Sequence, residues 1–307
     1  MSSATPLTIG LPVYNGENFL AQSLDDLLAQ HYGDFRLVIS DNASEDRTEA
    51  ICREYAARDT RIRFIRHEKN RGGVWNYNFT FHQNQSRFFK WANHDDGHAP
   101  TYLSRCMETM ASAPLPVALV YPQVALIGPD GSHIRDYDER LDLRHPDPAV
   151  RLGELVRNIR MVNSLLGVIR AEVLASTRLN QCIPAYDNLL LAELALRGEF
   201  WEIPERLFFR RVHPAAASRA KGFAAKLSWA SADATAHERY PILRRVAAHM
   251  DAIERAPLSR RQKIRAHLHY LPAHAHARLR HRRHRVASTL RRGVRSIGRG
   301  VVRRRTA

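Results

Sequence analysis

"RFFKWANHDDGHAP", residues Arg87 to Pro100, decides how this chain is read. A short apolar run, Phe88 to Ala92, ends in two adjacent carboxylates, Asp95 and Asp96. Neighbouring acids repel, and a buried acid without a partner is costly. A positive partner belongs at that point. A strand that delivers charge at its carboxyl end is what an open α/β sheet does, because ligands of such sheets bind beyond those ends.

Working outward, the preceding residues alternate strand and helix. "LTIGL" (Leu7–Leu11), "FRLVIS" (Phe35–Ser40) and "RIRFIRH" are short strand-like runs. Between them, Phe19, Leu20, Leu24, Leu27 and Leu28 recur at helical spacing, and Arg47 to Arg58 reads as a surface helix. Asp46 followed by Glu49 predicts a capping box there. Val74 to Gln83 is a third helix. This alternation predicts a mostly parallel central sheet flanked by helices. Its strand ends carry "PVYNGE", "DNASED", "NRGG" and "NHDDGH", four polar loops that together describe a site the size of a nucleotide.

Beyond Pro100 the order is less regular. "GPDG" (Gly128–Gly131) predicts a hairpin turn, and "LLGVIR" (Leu165–Arg170) a strand. "DNLLLAELALRG" predicts a helix with Asp187 at its start and Gly198 at its end. "FWEIPERLFFRRVHP" predicts two short strands around Pro204.

Composition bounds the function. The 307 residues allow a substantial core. The start, "MSSATPLTIG", lacks the pattern of a cleaved signal peptide, and the charge-free window Ala111–Pro129 is interrupted by three prolines, unlike a membrane span. Cys52, Cys106 and Cys182 form no metal or disulfide pattern, which fits a reducing, cytoplasmic setting. The net charge of +16 resides in the tail: Arg255 to the end holds 17 Lys plus Arg and no acid. Of the chain's 47 basic and 31 acidic residues, that leaves 30 and 31 in the first 254.

The ordered set "IGLPVYNGENFL", "VISDNASEDRT", "NRGG", "FKWANHDDGHAP", "DNLLLAELALRG" and "RRVHP" resembles a family 2 glycosyltransferase, the inverting class with a GT-A fold. The likeness covers residues 4–218, read as a nucleotide-binding half (4–122) and an acceptor half (123–218), with 219–307 a basic helical extension. It implies transfer of a sugar from a nucleotide-diphosphate donor to an acceptor hydroxyl, on a surface polysaccharide or lipid-linked glycan. It implies Mn or Mg as cofactor, with Asp95 toward the ribose and Asp96 nearer the metal. Pro12 and Tyr14 would pack on the base, Glu17 would reach base or ribose, and Asp41 would accept from the base. Asn70 and Gly72 match the loop beneath the nucleotide. His213 would ligate the metal, and Arg211 would pair with phosphate, with Arg210 pointing away. Asp187 would be the catalytic base; Glu193 lies on another helical face. Two departures stand out: His94 replaces an acid, and Tyr77 replaces an Arg.

Each residue also has a plainer reading. Asp41 suits an Asx turn, Asp187 a helix cap, Pro12 and Tyr14 a rigid turn, and a lone His such as His213 a structural position. Two rivals to catalysis are a non-catalytic GT-A-like binding module and a nucleic-acid binder acting through its tail. The second is disfavoured by a neutral body and a tail with one aromatic, Tyr270. In the tail, Val286, Leu290, Val294, Ile297 and Val301 fall on one helical stripe among arginines. That pattern suits peripheral attachment to an anionic membrane, although three glycines weaken a helix there.

Overall fold

The computed structural model describes residues 5–113, 116–183, 185–214, 229–231 and 241–280. The expected amphipathic stripe at 286–301 lies outside them.

The first half is built as its periodicity predicts. Strand β1 (Leu7–Val13) is buried along its whole length, so it is central rather than edge. Strands β2 (Phe35–Asp41) and β3 (Ile62–Arg66) lie parallel on one side of it, and β4 (Phe88–Trp91) parallel on the other. Helix α1 (Leu20–Leu28) buries Leu20, Leu24 and Leu27. Helix α2 (Thr48–Arg58) is more polar and buries only Thr48 and Cys52. Helix α3 (Gly73–His82) packs on β1 closely enough that a Cβ on Gly10 would meet the Thr80 side chain at 2.6 Å.

The second half adds β5 (Gly97–His98), α4 (Tyr102–Ser112), β6 (Val117–Ile127), β7 (His133–Tyr137), α5 (Pro148–Asn158), β8 (Val168–Arg170), α6 (Ala171–Ala175), α7 (Tyr186–Ala195) and β9 (Glu199–Arg211). One sheet results, ordered β3-β2-β1-β4-β8-β6-β9-β5, with β7 paired to β6. The central sheet is parallel through its first four strands, and β9 lies parallel to β6; β8, β5 and β7 join antiparallel.

Several expectations need correction. Residues around Pro204 form one strand, β9, rather than two. Its register against β6 jumps from Ile203 to Arg206, so Pro204, which cannot donate, sits in a bulge. "LLGVIR" divides into a 3-10 turn (Asn163–Leu166) and the short β8. The boundary drawn at 122/123 falls inside β6, a continuous strand. The capping box does not close: Asp46 accepts from Thr48 N, whereas Glu49 pairs with Arg53 and Arg66. The turn at "GPDG" forms as expected, closed by Gly128 N to Ser132 O at 2.7 Å.

After β9, a helix Pro241–Arg255 and a helical run over 260–280 return to the body. Ala252, Ile253, Ala256, Ala266, Tyr270 and Ala273 join the same hydrophobic core as the sheet. No helix among the described residues is long and apolar enough to cross a membrane.

Candidate active site

The parallel register sets the site. Val13 pairs with Asp41, and Asp41 with Arg66, so the loops after β1, β2 and β3 leave at one level. The loop after β1 is bonded to the loop after β2: Asn15 N to Ser44 Oγ (2.9 Å), Gly16 N to Thr48 Oγ1 (2.8 Å), Glu17 N to Asp46 Oδ2 and Arg47 N to Glu17 Oε2 (both 3.1 Å). Pro12 is buried in β1, whereas Tyr14 is 40% exposed. Glu17 is thus partly spent on Arg47.

Asp41 is fully buried. Its Oδ1 accepts from Ser44 N, the Asx turn, and its Oδ2 from Arg66 Nη1 at 2.5 Å. Each oxygen has two lone pairs, so acceptor capacity remains on a carboxylate that is itself sealed from solvent. Asn70 Oδ1 accepts from Asn42 Nδ2 and Gly72 N, which fixes the third loop. Gly72 has φ +88°, and a Cβ there would stand 2.5 Å from Ser231 Cα. We therefore expect Gly72→Ala to lower unfolding free energy by roughly 1–3 kcal/mol through strain and clash. Denaturant titration checks this; unchanged stability would mean that the loop does not need its left-handed backbone.

The acidic pair lies between β4 and β5, and β5 pairs with Phe208–Phe209 of β9. That pairing brings the end of β9 onto the pair. Asp96 is buried, and both its oxygens are taken: Oδ1 by Arg211 N (2.9 Å), Oδ2 by Asn93 Nδ2 (2.8 Å). Burial, then the charge of Asp95, push its carboxyl up to about 6. Asp95 Oδ2 meets His213 Nε2 at 2.9 Å, and the His213 ring lies against Phe19. Asp95 is therefore the carboxylate that faces His213, whereas Asp96 braces the loop.

The two arginines exchange their expected places. Arg211 is buried and directs its guanidinium to Asp95 O, Gly128 O, Pro129 O and Gln22 Oε1, a set of protein acceptors. Arg210 has a different partner. Its Nη1 bonds Asn163 Oδ1 at 2.5 Å, and its charge acts to lower the Asp96 carboxyl pKa. Strand alternation separates the two side chains, and Arg211 is the one turned inward onto protein acceptors.

Sequence reading also missed the supports of the acidic loop. Tyr77 OH donates to Asn93 Oδ1, and Asn93 Nδ2 in turn holds Asp96. The Tyr77 hydroxyl is pushed well above its ordinary value, by burial and then by Asp95, Asp96 and, more weakly, Asp187. Asp187 thus shares the electrostatic surroundings of the acidic pair. It lies in the first turn of α7 but is not the cap. That position is Ala185, at φ 56°, and Asp187 Oδ1 accepts from Asn188 N. Glu193 is buried against Arg178, which it binds through both Nε (2.6 Å) and backbone N (2.8 Å), so its role is structural. His94 packs under the first loop, where a Cβ on Gly16 would meet its ring at 2.8 Å. The buried Lys90 donates to Leu166 O at 2.6 Å and lies over the Tyr102 ring; burial pulls its pKa down to about 7.

Whether a divalent cation fits can be judged from the donors. Asp95 and His213 supply an oxygen and an imidazole nitrogen, which suits a manganese-like ion. Burial and the neighbouring Asp95 raise the Asp96 carboxyl, and a bound cation would relieve that cost. Among the described residues no group of three or more His, Cys, Asp or Glu is arranged to hold an ion. A site completed by phosphate oxygens needs only one or two protein carboxylates, so the donors fit.

Residues 8–162 match the family model for glycosyl transferase family 2. The chain belongs to that family. This chain is 27% identical over 165 residues to an uncharacterized glycosyltransferase of Rickettsia felis, covering 53% of this chain and 25% of the relative. A Rickettsia bellii counterpart is 27% identical over 175 residues, 55% of this chain and 23% of the relative. The chain thus spans about a quarter of the length of these relatives. Among solved structures, S. aureus TarS 1-349 in complex with UDP-GlcNAc aligns with TM-score 0.63 at 15% identity, covering 87% of this chain and 72% of that one. The mannosyltransferase PcManGT from Pyrobaculum calidifontis, in complex with GDP-Man and Mn2+, aligns with TM-score 0.54 at 16% identity, covering 88% and 77%. These likenesses show the GT-A fold of the chain.

Proposed function

We propose that this transferase moves a sugar from a nucleoside-diphosphate sugar to an acceptor hydroxyl, with inversion, in one displacement. The observation that carries this reading is the return of β9 onto the acidic pair, which sets His213 on Asp95 and the Arg211 backbone on Asp96 at the carboxyl edge of the sheet. Pro12, Tyr14, Glu17 and Asp41 would hold the base and ribose, and the Asn70–Gly72 loop would lie beneath. Asp95 and His213 would hold the divalent cation; Asp96 would orient the loop. Such a cation neutralises charge developing on a leaving diphosphate. The diphosphate contact would fall to Arg210 rather than Arg211, because the Arg211 guanidinium is bound to protein carbonyls while the Arg210 charge acts on Asp96. Asp187 would accept the proton of the acceptor hydroxyl.

The complexes of the two structural neighbours, one with UDP-GlcNAc and one with GDP-Man and Mn2+, support a nucleotide-sugar donor. The charge of Asp187 acts on the Tyr77 hydroxyl together with those of Asp95 and Asp96, which favours catalysis over a non-catalytic module. For the acceptor we take a lipid-linked or surface glycan, with peripheral attachment through the basic residues 255–307. The test is calorimetry with UDP and GDP, with and without Mn or Mg, followed by product detection with the matching sugars. Metal-dependent binding of one nucleotide and transfer of its sugar is the expected result. Absence of any nucleoside-diphosphate binding in the presence of metal would overturn the reading.

A further inference from the structure

The helical run over 260–280 is docked by one face and bare on the other. Ala266, Tyr270 and Ala273 are fully buried. Tyr270 stacks on His249 of the preceding helix at 5.2 Å, and His269 packs on Gly153 of α5. Those contacts fix the rotation of the helix. The opposite face then presents Ile264 (52% exposed), Leu268 (65%), Leu271 (48%) and Leu279 (58%). With Ala275 they sit at offsets 0, 4, 7, 11 and 15, within about 80° of arc. Four large aliphatic side chains in one exposed stripe, fixed there by the packing behind them, mark an interaction surface rather than scattered surface residues.

We propose that this stripe is the surface through which the transferase seats on an anionic phospholipid bilayer. The proposal rests on the reading above that the acceptor is lipid-linked. Arg260, Arg261 and Arg278 are exposed, and helical periodicity puts them beside the stripe. No Asp or Glu occurs from Arg255 to the end of the chain. An apolar stripe edged by guanidinium groups matches an interface in which side chains enter the acyl boundary and charges meet lipid phosphates. A second copy fits less well. A two-fold contact through the same face would set these arginines against one another, with no acid on that helix to pair them. The stripe lies upstream of residues 286–301, so attachment does not depend on that segment forming a helix.

The experiment is co-sedimentation of the full chain with vesicles of phosphatidylcholine alone or mixed with phosphatidylglycerol. Wild type should be recovered with the anionic vesicles only, and less so as salt is raised. The triple variant Ile264→Glu, Leu268→Glu, Leu271→Glu should lose about tenfold or more in vesicle affinity, because the stripe no longer enters the interface. A second variant, Arg260→Gln, Arg261→Gln, Arg278→Gln, keeps the stripe and should also bind anionic vesicles more weakly. Equal recovery of the triple variant and wild type would overturn the proposal, since tail charge alone would then suffice. Wild type that ignores anionic vesicles would overturn it too. So would a dimer, seen by analytical ultracentrifugation, that the triple variant dissociates. Nucleotide calorimetry on the same proteins separates the two readings: loss of vesicle binding with nucleotide binding intact concerns this face, whereas a wild type that binds vesicles but no nucleotide removes the catalytic reading only.

Discussion

Asp187→Asn should leave donor affinity within a few-fold of the parent and lower turnover by about 10²–10⁴-fold, the range for loss of a general base. Asparagine keeps the shape and can still accept from Asn188 N, as Asp187 Oδ1 does, so the start of α7 should survive. What is lost is the ability to take a proton. The helix cap is not at stake, because that position belongs to Ala185. Donor calorimetry and product formation measured on the same preparation separate binding from chemistry. Turnover that stays within a few-fold of the parent would remove Asp187 from the reaction.

The second large effect distinguishes the neighbouring acids. Asp95→Ala removes the oxygen facing His213 and should weaken metal-dependent donor binding by at least about 10²-fold, above the cost of losing an outer-shell partner. Stability should fall only modestly, by roughly 1 kcal/mol, since His213 loses its partner while the Asp95 side chain keeps some solvent contact. Asp96→Ala should act differently. It strips the partner from Arg211 N and Asn93 Nδ2 in a buried place, at a cost of roughly 1–3 kcal/mol of stability. Denaturant titration and metal-dependent calorimetry on both variants decide. If Asp96→Ala stayed fully stable and Asp95→Ala kept its metal response, the roles would return to those first read from the sequence.

The stability of the acidic loop also shows where pattern reading stops. Tyr77 was noticed only as the residue standing in place of an arginine. Its bond to Asn93, and through Asn93 to Asp96, ties helix α3 to the loop between β4 and β5. No local signal announces such a relay. Arg210 and Arg211 were told apart by alternation, but alternation gives two faces without saying which one the site occupies. That depends on β5, a two-residue strand too short to leave a periodic trace.

The sequence by itself determined the first four strands and their helices, and that their polar loops share an edge. Burial on both faces of β1 and the amphipathic spacing of α1 are local properties of the residues, so periodicity records them. It also determined that the basic excess lies after Arg255. Only the tertiary structure decided that β9 runs through Pro204 as one bulged strand, because its pairing with β6 outweighs a single proline that a bulge can absorb. It decided as well that Asp95, not Asp96, meets His213, that Arg211 is spent on carbonyls, and that Ile264, Leu268 and Leu271 stay bare. These outcomes turn on contacts between segments a hundred residues apart, whose geometry is set by sheet order and packing rather than by any residue's neighbours in the chain.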